Sequence, residues 1–498
     1  MNRYIMTQTA RFAFPEEIMH NLTPIDLEKV SDSLGGGGIP LVIEGKTVYA
    51  DESDTNNLIF ADPGSGKTRR IACPLVMTLA CKGTSMVIND PKGEIIQMTR
   101  EYLEKMSYSI KVLNFKDPMY CDTYNPLYLA ARLYVEGDKD SAKEMFNQLG
   151  ETLYASVQSD QDPFWATMAV NLFQAYCMLA CYIASIGEIS VEDVSLSYIY
   201  QLFLEGEQKL FGNCCLKEYL CSVKDEMVCT AFAGYIDAAT ETKASILSVF
   251  SSVLSKVVTN TNISDMISGN SIDIEKLVDE KTAIFIIQRD EAGVYNALMA
   301  AIIDQFYLRL IQEAERNSGV LFRKWDFVID EFSNLWQIPY MENKISECRS
   351  RGIRWHLFVQ SLDQIEGKYH EKASVITACC QNMFYMHTPE YKLLDMISKR
   401  CGDYVTEYTH ERRPLLSTTD LQYFNKNEGE TLVLLSRQHP YVISLLDISI
   451  YMKRLGLFVK KCDIEKREKR KLPLFSMSSK IMVTRKERIN QLFPDYLE

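Results

Sequence analysis

The segment Ala61-Asp62-Pro63-Gly64-Ser65-Gly66-Lys67-Thr68 constrains this chain more than any other. It follows a short apolar run, Asn57–Phe60, and precedes an apolar-periodic stretch that starts near Arg69, so it reads as strand, glycine-rich loop and helix. A loop of this kind needs small residues so that successive backbone N–H groups can wrap a phosphate. It also needs a lysine to reach the β and γ oxygens and a hydroxyl to ligate Mg2+. Gly64, Ser65, Gly66, Lys67 and Thr68 supply these parts, while Ala61 stands where the usual pattern has its first glycine. The sequence therefore predicts a phosphate-binding loop on an α/β domain, with ATP and Mg2+ as its cofactors.

Such a loop requires a carboxylate at the end of a neighbouring strand to hold the cation, and often a second one to polarise the attacking water. Trp325-Asp326-Phe327-Val328-Ile329-Asp330-Glu331 fits, with Asp330 on the Mg2+ side and Glu331 as general base. Glu331 argues against a module that binds nucleotide without hydrolysing it. Further on, Arg349-Ser350-Arg351-Gly352 reads as a helix end, and the strand Trp355–Val359 runs into Gln360-Ser361. An arginine at a subunit edge can stabilise charge on a neighbour's γ-phosphate, and a glutamine at a strand's C-terminal end is placed to sense it. A surface arginine and a strand-end amide are the plain alternatives.

Other short apolar runs mark strands at Ser85–Ile88, Lys111–Phe115, Thr282–Ile287, Asn382–Met386 and Thr431–Leu435. The rhythm stops at Tyr124 and resumes at Thr282, with helical patterns such as Thr240–Val257 between. One α/β domain interrupted by an all-α insertion accounts for this. The expected divisions are an N-terminal segment 1–50, a motor domain 51–124 plus 271–452, an all-α domain 125–270 and a basic tail 453–498. Gly35-Gly36-Gly37-Gly38 reads as a linker or a tight turn. Pro163 to Gly187 carries no charge over 25 residues, which suits a buried helix or a membrane segment. No signal peptide precedes the loop, and the cysteine spacing is not that of a secreted disulfide scaffold, so a reducing cytoplasm is expected.

The net charge of −12 excludes a wholesale cationic coat for nucleic acid or anionic membrane. It is uneven: residues 453–498 carry +7 and the remainder −19. Lys460–Lys471 reads as a phosphate- or acidic-lipid-binding patch, or as a solvated mixed-charge helix face.

Taken together, the motifs resemble the TraG/TraD-type coupling proteins of conjugative type IV secretion. The resemblance rests on Gly64–Thr68, on Val87-Ile88-Asn89-Asp90-Pro91-Lys92-Gly93-Glu94 and on Tyr124-Asn125-Pro126-Leu127. It also rests on the match from Asp330-Glu331-Phe332 through Arg349-Ser350-Arg351-Gly352-Ile353 to Gln360-Ser361, with weaker echoes at Phe164-Trp165 and Arg413-Pro414-Leu415-Leu416. It implies a RecA-like P-loop NTPase domain with a parallel-rich central sheet, interrupted by an all-α domain that faces the cargo. It further implies a homo-hexamer, peripheral at the inner face of the cell membrane, that takes relaxase-bound single-stranded DNA, and in some systems protein effectors, to a type IV secretion channel. Lys67 and Thr68 would act on phosphate and Mg2+, Asp330 and Glu331 on Mg2+ and water, Arg349 as a finger in trans and Gln360 as sensor. Asp90 and Glu94 match the family's turn, where Asp90 is structural or catalytic. Members usually carry transmembrane helices ahead of the motor. Their absence here predicts either a truncated form or a soluble member docked by a separate membrane-anchoring partner. Two other functions compete: a chromosome-segregation-type double-stranded DNA translocase, and a substrate receptor that nucleotide merely switches.

Overall fold

The structure is a computed structural model that describes residues 10–29, 35–155, 163–289, 293–406, 411–460, 464–471, 473 and 475–492. The chain forms two compact units, and each draws on three stretches of sequence.

The first unit comprises residues 1–116, 275–290 and 306–464. Its centre is a nine-stranded sheet. The strands are β1 (Asn57–Ala61), β2 (Ser85–Asn89), β3 (Ser109–Asn114), β4 (Thr282–Ile287), β5 (Trp325–Ile329), β6 (Ile353–Val359), β7 (Asn382–His387), β8 (Glu430–Leu434) and β9 (Tyr441–Ser444). The spatial order is β9-β8-β7-β1-β6-β5-β2-β4-β3. β7 through β3 run parallel, and β8 and β9 add an antiparallel edge. Central strands covered on both faces must be apolar without alternation. That is why Asn-Leu-Ile-Phe-Ala and Trp-Asp-Phe-Val-Ile are buried at every position. The run expected at Lys111–Phe115 begins earlier, at Ser109, because all six residues of β3 pair with β4. β9 and a small antiparallel sheet of Thr23–Asp26, Pro40–Glu44 and Thr47–Ala50 lie outside the sequence expectation.

The glycine run is no linker. Gly36 exchanges hydrogen bonds with Thr84 Oγ1 (3.0 and 2.8 Å), and Gly36 to Gly38 are buried. A Cβ at Gly38 would lie 1.9 Å from the Asp51 carbonyl oxygen, so glycine is required there for close packing. Near the N-terminal ends of β5 and β6, Asp326 accepts from Arg354 Nη2 (2.6 Å) and Nε (3.1 Å), and His356 Nε2 lies 3.1 Å from the same carboxylate. Burial raises the Asp326 pKa, but Arg354 and His356 outweigh it and hold the carboxyl below its usual range. Burial lowers the His356 pKa, leaving a neutral ring that donates from Nε2 to Asp326 and accepts at Nδ1 from Asn57 Nδ2 (2.7 Å).

The second unit comprises residues 117–274, 291–305 and 465–498. Its core is the helix Phe164–Ser185, which is apolar nearly all round and mostly buried by its neighbours. Tyr176 on that helix meets Phe203, Phe232 and Phe250 at ring-centroid distances of 6.0, 5.1 and 5.7 Å. The uncharged stretch is thus a core helix of this unit. Residues 464–471 form neither helix nor strand, so they are not a helix face. Arg467 pairs with Asp265 (2.7 Å) and Arg470 with Asp193 (2.8 Å). Lys461-Cys462-Asp463, near the start of the basic segment, lie outside the described residues. Beyond it, Glu205 accepts from Ser476 Oγ, Ser478 Oγ and the Met477 and Ser478 amides, capping the helix Met477–Leu492.

Candidate nucleotide-hydrolysing site

The strand register sets the site. Ile329 lies opposite Asn89 on one side and Leu357 on the other, and Val359 lies opposite Phe60. The residues that follow these strands, Ala61 onward, Asp90, Asp330 and Gln360, therefore share the C-terminal edge of the parallel sheet, where open α/β sheets bind ligands.

Gly64 and Gly66 turn the loop with φ of +77° and +81°, a left-handed conformation that glycine adopts without strain. Ser65 closes the turn, its Oγ donating to the Asp62 carbonyl at 2.7 Å. The following helix opens with a π-helical turn, Thr68–Ala72, before Cys73–Cys81. Lys67 Nζ lies 2.9 Å from Glu331 Oε1, and Thr68 Oγ1 donates to Asp330 Oδ2 at 2.9 Å. Gln360 Nε2 reaches Glu331 Oε2 at 3.5 Å. Lys67, Thr68, Asp330, Glu331 and Gln360 form one continuous cluster.

Burial pushes the Asp330 pKa up to about 7, against the attraction of Lys67 and the Thr68 hydrogen bond, with Asp90 and Glu331 pushing the same way as burial. Its Oδ1 is buried and has no partner among the described residues. An orphaned carboxylate oxygen beside a threonine hydroxyl is a donor set for a hard divalent cation that keeps most of its waters. Mg2+ fits these residues, with Thr68 and Asp330 as holders. When bound it would supply charge neutralisation for polyphosphate.

Asp90 is buried, and its Oδ2 accepts from the Ile96 amide at 3.0 Å, capping the helix Glu94–Lys105. Burial lifts its pKa to about 6, and its Oδ1 has no partner among the described residues. Glu94 opens that same helix and is half-exposed. Arg349 is not in the cluster: it lies exposed on the last turn of the helix Met341–Arg351.

Sequence reasoning missed several supports. Arg69 holds Asp447 with two bonds of 2.7 Å, and Arg70 donates to the carbonyls of Leu445 and Asn427, fixing the start of the loop's helix. His387 Nδ1 lies 3.1 Å from Asp62 Oδ2. Asn89, fully buried, leaves both side-chain polar atoms without a partner among the described residues. The adjacency of Arg69-Arg70 to Thr68 and of Asn89 to Asp90 was the available signal.

Fold and site together define a RecA-like P-loop architecture with a separate, mainly α-helical unit. Residues 25–433 match the family described as Type IV secretory system Conjugative DNA transfer, and the chain belongs to that family. The probable conjugal transfer protein TraG of Sinorhizobium fredii (strain NBRC 101917 / NGR234) is 23% identical over 372 residues, 70% of this chain. The match takes in 52% of that protein, so the chain spans about half the length of the curated relative it matches. Among solved structures, the plasmid coupling protein TrwB in complex with the non-hydrolysable ATP analogue ADPNP has the same fold, with a TM-score of 0.61 at 14% identity. The alignment covers 93% of this chain and 95% of that one. TrwB in complex with ADP and Mg2+ gives a TM-score of 0.61 at 13% identity, covering 94% and 97%.

Proposed function

We propose that this chain is an ATP-driven coupling protein that receives relaxase-bound single-stranded DNA, with or without protein effectors, and delivers it to a type IV secretion channel. The observation that carries the hydrolytic half is the cluster at one sheet edge: Lys67 and Thr68 against Asp330 and Glu331, with Gln360 on the far side of Glu331. A site that only bound nucleotide would have no need for a second carboxylate that contacts both the phosphate-binding lysine and a polar strand-end residue. Family membership supports the transport half. On this reading Lys67 binds the β and γ phosphates, Thr68 and Asp330 hold Mg2+, and Glu331 takes the proton of the attacking water. Gln360 reports the γ-phosphate to Glu331. Arg349, exposed at the end of its helix, is free to reach a neighbouring copy's γ-phosphate, which calls for a homo-hexameric ring. The ring works peripherally at the inner face of the membrane, docked there by a membrane-anchoring partner or segment. An acidic surface is compatible with this, because a ring grips backbone phosphates with a few pore-lining residues.

The test is ATP hydrolysis by the full chain with and without single-stranded DNA. DNA-stimulated turnover is expected, falling by roughly a hundredfold or more in Lys67→Ala and in Glu331→Gln, with Glu331→Gln still binding nucleotide. Arg349→Ala should lose the stimulation but keep nucleotide binding. Normal cargo export by cells carrying either Lys67→Ala or Glu331→Gln would overturn the motor reading.

A further inference from the structure

The turn that follows β5 carries Glu331 and continues through Phe332, Ser333 and Leu335, whose carbonyls no strand or helix ladder accounts for. One side chain collects them. Lys368 Nζ donates to Phe332 O at 3.0 Å, to Ser333 O at 2.6 Å and also to Leu335 O. An ammonium has three N–H donors and no acceptor, so three convergent carbonyls satisfy it completely. No carboxylate pairs with it among the described residues, and burial pushes its pKa down to about 8. A desolvated cation held by backbone oxygens and the face of the Phe332 ring (5.9 Å), with no counter-charge among the described residues, is an expensive way to tie down a surface turn. It is an efficient way to fix a turn whose conformation has to be specified.

The surrounding contacts show what is being fixed. Lys368 lies in the helix Leu362–Tyr369, which starts directly after Gln360 and is capped by Ser361. The next residue, Tyr369, stacks on Phe332 at 5.3 Å and 5° between rings, and its hydroxyl accepts from the Ile338 amide at 3.1 Å. Glu331 itself is bracketed along the backbone: Asp330 N donates to Asn89 O (3.3 Å) and Phe332 N to Phe358 O (3.0 Å). One eight-residue helix thus has Gln360 at its start and a grip on the Glu331 turn at its end.

We infer that Lys368 is a positioning residue for the hydrolytic step: it holds the 331–335 turn so that the Glu331 carboxylate stays in register with Lys67 and Gln360. The inference rests on the hydrolysis reading above. It acts through backbone geometry and touches no reacting atom. Displacing a catalytic group by about 1 Å can cost roughly a hundredfold in rate, so the expected signature is a loss in kcat without a matching loss in nucleotide affinity.

The experiment compares the wild-type chain with Lys368→Met, similar in length but without donors, and Lys368→Gln, which keeps two donors at shorter reach. DNA-stimulated ATP turnover and binding of a fluorescent ATP analogue are measured on the same preparations. Lys368→Met is expected to lower kcat by about ten- to a hundredfold, with analogue affinity within about twofold of wild type, and Lys368→Gln to fall between. If Lys368→Met does not fold, the same split in Lys368→Gln carries the test. Wild-type kcat in either folded variant overturns the assignment, as does a fall in kcat matched by an equal fall in affinity, which marks a merely structural residue. Absence of turnover in a wild-type chain that binds the analogue refutes the motor reading, and this inference with it.

Discussion

Replacing Asp330 by asparagine should make the nucleotide-free protein more stable while removing its activity. The carboxyl is almost completely buried, and its pKa rises from 3.8 to about 7. At ~1.4 kcal/mol for each pH unit, the ionised group costs ~4 kcal/mol relative to water. The attraction of Lys67 is already inside that figure. An asparagine has no charge to desolvate, and its Oδ1 can still accept the Thr68 hydroxyl now 2.9 Å from the carboxylate. Allowing for imperfect geometry, a gain of ~2 kcal/mol is expected at pH 8, or roughly 4–8 °C in melting temperature. The pH dependence fixes the sign. The native state holds this proton more tightly than the unfolded chain, so the group's contribution to stability is full below about pH 4 and is lost as pH rises through 7. The gap between Asp330→Asn and wild type should therefore widen from pH 5 to pH 8. Thermal unfolding in chelator, without nucleotide, at both pH values measures it. A variant no more stable than wild type at pH 8, or a gap equal at both pH values, would refute the reasoning.

Three further outcomes follow from the packing. Asp326→Asn leaves the fully buried Arg354 without its counter-charge and should cost about 3–5 kcal/mol in urea unfolding at pH 7. Gly38→Ala drives a methyl into the Asp51 carbonyl and should lower the melting temperature sharply, whereas Gly45→Ala, with open space around its Cβ, should suffer only the milder strain of its +61° φ. Arg467→Glu sets a like charge against the nearly buried Asp265, and limited proteolysis should then cut near residues 464–471 faster than in wild type.

Much of the sheet was legible because parallel strands buried on both faces announce themselves as unbroken apolar runs, as in β4, Thr282–Ile287. The phosphate loop and Asp330-Glu331 were legible because their chemistry demands particular residue types next to one another. Residues that meet only through the fold left no such trace. Lys368 sits 37 positions after Glu331 on a helix whose sequence gives no sign that its lysine turns inward. Asp326, Arg354 and His356 look like ordinary polar interruptions of two strands until β5 and β6 are placed side by side. The glycine run misled because composition alone cannot separate flexibility from close backbone approach. β9 escaped because a four-residue edge strand, buried only at Tyr441, has almost no apolar signature.

The clasp of the C-terminal segment has a consequence for the order of events during synthesis. Most of the helical unit leaves the ribosome by Ile274, yet its partners for Asp265, Glu205 and Asp193 lie 202, 271 and 277 residues downstream. At translation rates of about 5–20 residues per second, those acids wait on the order of 10–55 s for their counterparts. During that interval the unit exists with Asp193, Asp265 and Glu205 uncovered, the state in which a chaperone or a nascent neighbour would meet it.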